Sequence, residues 1–316
     1  MYRDVWKGDD SLKKITNISI IGLGAIGGSY AERLYQNNNV NLTVVADRSR
    51  IEKYNTNKLT VNGKPCDLKF IQPDSDEAPA DLVLIAVKYN NLSQAVDAIR
   101  KRVGPDTVIM SLMNGIDSEE IIGEAFGMEK LLYSSCVGID ALREGNNIRY
   151  TSFGKLHFGE RENKLHTERV ERVKVLLDES GIPYHIPENM IKALWWKYMV
   201  NVGLNQVSAV LGAPFRVFNT VQEIRELVDA AMKEVIDVSI KAGINLEEES
   251  MKEVHKLVDT LSAEGKTSML QDIEAGRKTE VEMFSGVLRK MGRKYGVPTP
   301  VNDTLYRMIR TLEQME

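Results

Sequence analysis

The sequence predicts an α/β domain built on a doubly wound parallel sheet, followed by an all-helical C-terminal domain. Three observations predict it. Short, almost uniformly apolar runs alternate with helical segments over the first half of the chain, as strands buried on both faces of a parallel sheet require. A Gly-x-Gly-x-x-Gly loop follows the first of these runs at once. Near residue 190 the pattern changes to almost unbroken helix signal.

The elements follow in order. Residues 1–14 are polar and without periodicity, and read as an N-terminal extension. Asn17–Ile21 is a strand, and the chain is helix-compatible from Ala25 to about Gln36. Further strands are expected at Leu42–Ala46, Leu82–Val87, Thr107–Leu112 and Leu131–Val137, with helices at Leu92–Arg102 and Ser118–Phe126. Tyr150–Gly159 reads as strand, and Thr167–Ser180 as a helix stopped by Gly181. Beyond it, Met190–Val210, Val221–Ala242, Leu246–Leu261 and Val281–Tyr295 carry long helical patterns punctuated by Gly243, Gly265, Gly276 and Gly296-Val297-Pro298. A dinucleotide-binding domain is therefore expected over residues 15–185 and a helical substrate and dimerisation domain over 186–316.

Composition narrows the function. At roughly 100–200 residues per domain, 316 residues suit two domains. A net charge of −4 disfavours nucleic-acid binding, which usually needs a basic face. Two cysteines, Cys66 and Cys136, cannot build a disulfide framework, and the four histidines show no metal-ligand spacing. No apolar run approaches the ~18 residues of a membrane span, and the N-terminus lacks the apolar core of a signal peptide. The expectation is a reduced, cytoplasmic protein with a small-molecule substrate, no metal, no membrane and no nucleic acid. A homodimer through the helical domain is compatible with the sequence, although no motif marks it.

The glycine loop Gly22-Leu23-Gly24-Ala25-Ile26-Gly27 carries the cofactor expectation. Between strand and helix, its glycines let backbone N–H groups approach a pyrophosphate at the helix N-terminus, the Rossmann-type arrangement. Asp47, about 20 residues on, is placed to accept from an adenosine ribose and favours NAD. Arg48 and Arg50 follow and can hold a 2′-phosphate, favouring NADP, or lie on a solvated surface. Lys88 and Asn114-Gly115 follow later strands, at the sheet edge that faces a ligand crevice, unless they are a plain strand end and turn.

In the helical half, Lys197, Asn201 and Asn205 recur at intervals of four and span about 80° of one helix face. Their neighbours are large and apolar, so these polar groups need partners: an oxygen-rich substrate, or an interhelical network. Ser268 and Asp272 are one turn apart on a short helix that Gly276 ends, and Ser268 suits an N-cap as well as a ligand site. A new helix is expected near Thr279, with Glu280 in its first turn.

Taken together, Ile21–Gly27, Val87-Lys88, Asn114-Gly115, the Trp196-Lys197…Asn201…Asn205 helix, and Ser268-Met269-Leu270-Gln271-Asp272 with Thr279-Glu280 resemble ketopantoate reductases (2-dehydropantoate 2-reductases) from about Asn17 to Arg310. The resemblance implies NADPH-dependent reduction of 2-dehydropantoate to pantoate, in pantothenate biosynthesis. It makes Lys197 the proton donor, with Glu280 beside the reaction. Asn114, Asn201, Asn205 and Ser268 become substrate-binding positions. Lys88, Asn114 and Glu280 fall near the nicotinamide end of the cofactor, with Ala141 a further contact. Members often carry arginine where Asp47 stands; here it is displaced to Arg48, which leaves NAD(H) use open. A paralogous reductase of another 2-oxo or β-hydroxy acid keeps the same residues, and a dinucleotide-sensing protein without catalysis is the alternative from another class.

Overall fold

A computed structural model describes residues 12–315. The chain forms two compact units, the first ending at Met190 and the second beginning at Ile191. The first extends beyond residue 185 because Asn163 N donates to Glu188 O at 2.8 Å and Met190 N to Arg161 O at 3.1 Å. Of the expected extension, residues 1–11 lie outside the described residues. Lys13 and Lys14 are docked: Arg172 Nε donates to Lys13 O at 2.7 Å, and Lys14 Nζ to Glu179 at 2.6 Å.

Among the described residues the first unit has twelve strands: β1 Asn17–Ile21, β2 Asn41–Val45, β3 Leu59–Val61, β4 Lys64–Cys66, β5 Lys69–Ile71, β6 Ala80–Ile85, β7 Val103–Ser111, β8 Leu131–Val137, β9 Leu142–Glu144, β10 Asn147–Arg149, β11 Lys155–Gly159 and β12 Tyr184–His185. Its helices are α1 Ala25–Tyr35, α2 Arg48–Thr56, α3 Leu92–Ala98, α4 Ser118–Phe126 and α5 Glu168–Glu179. The main sheet runs β12-β11-β8-β7-β6-β1-β2-β5, and the six strands from β8 to β5 are parallel. Strand order reverses at β1, which pairs with β2 on one side and β6 on the other. The apolar strands alternate between two cores. Ile18, Ile20, Leu82 and Leu84 enter one, while Ile21, Val83 and Ile85 enter the other. That explains why the runs show no polar alternation.

Expectation and structure differ over residues 48–71 and 142–154. Leu92–Arg102 is a helix only to Ala98, followed by a 3₁₀ turn, and of Tyr150–Gly159 only the last five residues are strand. A second, four-stranded sheet, β4-β3-β10-β9, lies outside the expected elements. Its strands have three residues each, too short to show a period.

Glu119, in the first turn of α4, is buried at 3% exposure and accepts from Ser118 Oγ at 2.9 Å. Burial pushes its carboxyl up from 4.5 to about 7, against the opposing pull of the Ser118 hydroxyl. The folded state therefore holds a proton that the unfolded state releases. The stability this contributes is full below about 4.5 and is lost as pH rises through about 7, on the order of 3 kcal/mol at most. Glu119→Gln, neutral at every pH, is expected to flatten the dependence of Tm on pH between 5 and 8. A curve unchanged from the parent protein would refute the assignment.

The second unit is helical: α6 Met190–Leu211, whose first residue closes the first unit, then α7 Phe215–Thr220, α8 Gln222–Lys241, α9 Glu249–Asp259, α10 Ser268–Glu274, a π turn at Glu282–Gly286, α11 Val287–Tyr295 and α12 Pro300–Leu312. Buried Glu234 of α8 caps α12, accepting Val301 N at 2.8 Å and Asn302 N at 3.0 Å. Asn302 Nδ2 donates to the same carboxylate at 2.7 Å, and Gln206 Nε2 of α6 donates to Asn302 Oδ1 at 3.0 Å. These bonds satisfy a buried charge and fix three helices relative to one another within the unit.

Candidate functional site

Because β2, β1, β6 and β7 are parallel, their carboxyl ends share one edge of the sheet. Asp47 follows β2, the glycine loop follows β1, Lys88 follows β6 and Asn114 follows β7. The edge is held in register by Ala86 N donating to Ile21 O and Leu112 N to Ile85 O, both at 2.8 Å. In open α/β sheets ligands bind outside this edge, at the point where strand order reverses.

The glycine loop passes a test of fit for a dinucleotide. A Cβ on Gly22, whose φ is +96°, would collide with the Ala86 carbonyl, and one on Gly27 with the Gly22 carbonyl. Packing alone demands those two. Gly24 is exposed, and a Cβ there would meet nothing closer than Ala86 O at 4.0 Å. The loop's own packing gives no reason for Gly24, and the open space beside it is room for a ligand to come close to the backbone. Gly24 is also the N-cap of α1, without a side-chain cap bond and without an acid in the first turn. That end keeps backbone donors for an anion. Leu23 is buried, while Ala25 and Ile26 are half-buried in the turn.

Asp47 does more than the sequence suggested. It is the N-cap of α2: Oδ1 accepts Ser49 Oγ at 2.7 Å and Arg50 N at 2.9 Å. The serine hydroxyl first, then the amide, hold its carboxyl below the usual range. Arg50 Nε lies 3.4 Å from Oδ2, and Arg48 Nε donates to Glu52 at 3.0 Å. These pairs are exposed and weak, so a phosphate can displace them at little cost. Lys88 is exposed and caps the 3₁₀ turn Tyr89–Asn91; Asn114 is half-buried before Gly115, whose φ is +93°. Ala141 is half-buried just before β9.

In the second unit, Lys197, Asn201 and Asn205 lie on α6, with Lys197 and Asn201 half-buried and Asn205 buried. Ser268 Oγ donates to Asn205 Oδ1 at 3.1 Å, and Asn205 Nδ2 donates to Asn201 Oδ1 at 3.1 Å. The chain of donors ends on Asn201 Nδ2, a buried amide nitrogen with no hydrogen-bond partner. Tyr198 OH donates to Phe284 O at 2.6 Å, tying α6 to the π turn. Two expectations need correction. The N-cap of α10 is Thr267, whose side chain accepts from Leu270 N; Ser268 is the first helical residue, free of capping duty. Glu280 is not in a first helical turn: helix resumes at Glu282, and the Glu280 carbonyl accepts Met283 N at 3.0 Å. Thr279 is instead held by Glu313, which accepts its N at 2.8 Å and its Oγ1 at 2.6 Å.

Residues 18–163 match the profile of "Ketopantoate reductase PanE/ApbA", and residues 189–313 match its C-terminal counterpart. The chain belongs to the ketopantoate reductase family. Like that family, it is an oxidoreductase. The 2-dehydropantoate 2-reductase of Archaeoglobus fulgidus is 28% identical over 302 residues, spanning 95% of this chain and 99% of that one. The crystal structure of the Methylococcus capsulatus 2-dehydropantoate 2-reductase aligns over 94% of this chain and 97% of that one, with a TM-score of 0.80 and 27% identity. D-mandelate dehydrogenase, solved with NADH and anilino(oxo)acetate, has the same fold as this chain, with a TM-score of 0.85 over 95% of this chain and 99% of that one and 23% identity. Among the described residues no cluster of histidine, cysteine and acids suits a metal ion, and no helix is long and apolar enough to cross a membrane.

Proposed function

We propose that the chain reduces 2-dehydropantoate to pantoate, with NADPH preferred and NADH accepted. The observation that carries this reading is the donor chain Ser268–Asn205–Asn201 ending on an unpartnered buried amide. A buried donor left unsatisfied costs about 1–3 kcal/mol. A substrate with a carboxylate and a hydroxyl supplies the missing acceptor. The dinucleotide, held by residues 22–27, supplies the hydride when bound. Asn201, Asn205 and Ser268 grip the acid's oxygens and fix the carbonyl. Lys197 stabilises the oxygen that gains negative charge at C2 and gives it a proton. Lys88, Asn114 and Ala141 border the cofactor, and within the helical unit Glu280 orients the Lys197 ammonium.

Asp47 favours NADH, and the second reading is a paralogous NAD(P)-dependent reductase of another 2-oxo or β-hydroxy acid. A spectrophotometric panel separates the two, crossing both reduced cofactors with several 2-oxo acids. The highest kcat/KM is expected for NADPH with 2-dehydropantoate; a tenfold or greater advantage for another acid would overturn the proposal. Arg48→Ala is expected to weaken NADPH more than NADH. Equal loss for both would mean that Arg48 does not read the 2′-phosphate.

A further inference from the structure

The small sheet carries an arginine that reaches into the glycine loop. Arg143, half-buried on β9, donates from Nη1 to the carbonyl of Leu23. Its Nε donates to Gly145 O at 2.7 Å, and its Nη2 to Asn146 Oδ1 at 3.3 Å. The guanidinium carbon lies 5.7 Å from the centre of the Tyr54 ring, which stacks on Phe70 at 5.1 Å. Asn146 in turn donates from Nδ2 to the carbonyl of Asn57, at the end of α2. One side chain thus connects the loop after β1, the β9–β10 turn and the helix that begins beside Asp47.

A second observation places the same sheet against the same turn. A Cβ on Gly28 would fall on Ile148 Cδ1 of β10, so the glycine makes a notch in the first turns of α1 that Ile148 fills. The sheet is therefore seated on the start of α1, and Arg143 extends from it to the peptide that leads into that helix.

That peptide joins Leu23 to Gly24. In a trans peptide the C=O and N–H point in opposite directions. A guanidinium on the Leu23 oxygen thus fixes the direction of the Gly24 N–H, one of the donors offered to a phosphate. Without a Cβ on Gly24 the peptide is otherwise free to rotate. A charge-assisted hydrogen bond is strong enough to hold it, and three anchors immobilise the fork that makes it.

We infer that Arg143 is a cofactor-positioning residue: it locks the Leu23–Gly24 peptide in the orientation that receives the dinucleotide pyrophosphate. The inference rests on the proposed dinucleotide-dependent function. Because the pyrophosphate is common to NADPH, NADH and ADP-ribose, all three must depend on Arg143 alike.

The test measures Kd for these three ligands by titration calorimetry with the parent protein, Arg143→Ala and Arg143→Lys. It adds hydrogen exchange of the ligand-free proteins over residues 22–28. Arg143→Ala is expected to weaken all three ligands by about tenfold. Exchange is expected to rise at the loop alone, with Tm close to the parent's. Arg143→Lys retains charge but not the three-way fork and is expected to stay weak. Unchanged Kd values overturn the inference and leave the proposed function standing. Loss confined to NADPH also overturns it, by making Arg143 a reader of the 2′-phosphate. A fall in Tm with exchange raised throughout the unit overturns it as well, the role then being structural. Failure of the parent protein to bind any of the three overturns both the inference and the proposed function.

Discussion

Lys197→Ala is expected to lower kcat by about 10²-fold or more, the usual scale for loss of acid–base catalysis. Lys197 is the one cation among the polar residues placed at intervals of four on α6, and it is half-buried between Trp196 and Tyr198 in the chain. Tyr198 is anchored on the Phe284 carbonyl, so this stretch of α6 is rigidly placed within its unit. The proposed role is made mainly in the transition state, as negative charge gathers on the substrate oxygen. Dinucleotide affinity should therefore be nearly unchanged, since residues 22–27 belong to the other unit. Steady-state kcat and cofactor Kd on the one variant decide the matter. A near-normal kcat, or lost cofactor affinity with turnover preserved at saturation, would remove Lys197 from the chemistry.

Gly24→Val should abolish measurable dinucleotide binding while the protein stays folded. Gly22 and Gly27 cannot serve for this test, because a side chain at either collides with backbone and damages the fold. Gly24 faces open space, so valine there should cost only the poorer N-cap of α1, about 1 kcal/mol, and leave the protein folded. The branched side chain would occupy the surface where phosphate oxygens must come within about 3 Å of backbone nitrogen. Thermal melts and calorimetric titration with NADPH together check it. A stable Gly24→Val protein that binds NADPH as the parent does would disprove the placement of the pyrophosphate.

Much of the first unit was legible because buried parallel strands and a glycine fingerprint are local signals. Leu131–Val137 and Ser118–Phe126 coincide with the expected segments residue for residue. Residues 48–71 were not legible for an equally physical reason. Helix α2 buries no residue and so has no apolar stripe, and β3, β4 and β5 are three residues long. One signal was there to use: Asn62-Gly63, with Asn62 at φ +48° and Gly63 at φ +77°, is the pair that tight hairpins prefer. Helix α12 also announced itself through Thr299-Pro300, with proline at its first position. In the helical unit the spacing of Lys197, Asn201 and Asn205 disclosed the shared face. It could not disclose that Ser268, far along the chain, completes the donor series on Asn205. Arg143 left no trace, since a lone arginine in a polar stretch reads as surface until the hairpin folds back on Leu23.

The pairing of β3 with β10 sets an order of events during synthesis. Thr60 lies opposite Asn147, so the small sheet closes only after residues up to about 149 are available. A nascent chain that has emerged only as far as β6 already contains β1, the glycine turn and α1, but neither Arg143 nor Ile148. Pairings this distant in sequence close slowly, because the entropy of a long loop is lost before the contact forms. The surroundings of the glycine loop are thus completed late, although the loop itself is among the first parts translated. Ribosome-stalled chains ending near residue 125 should leave residues 22–28 open to proteolysis, whereas chains with residue 155 outside the exit tunnel should protect them.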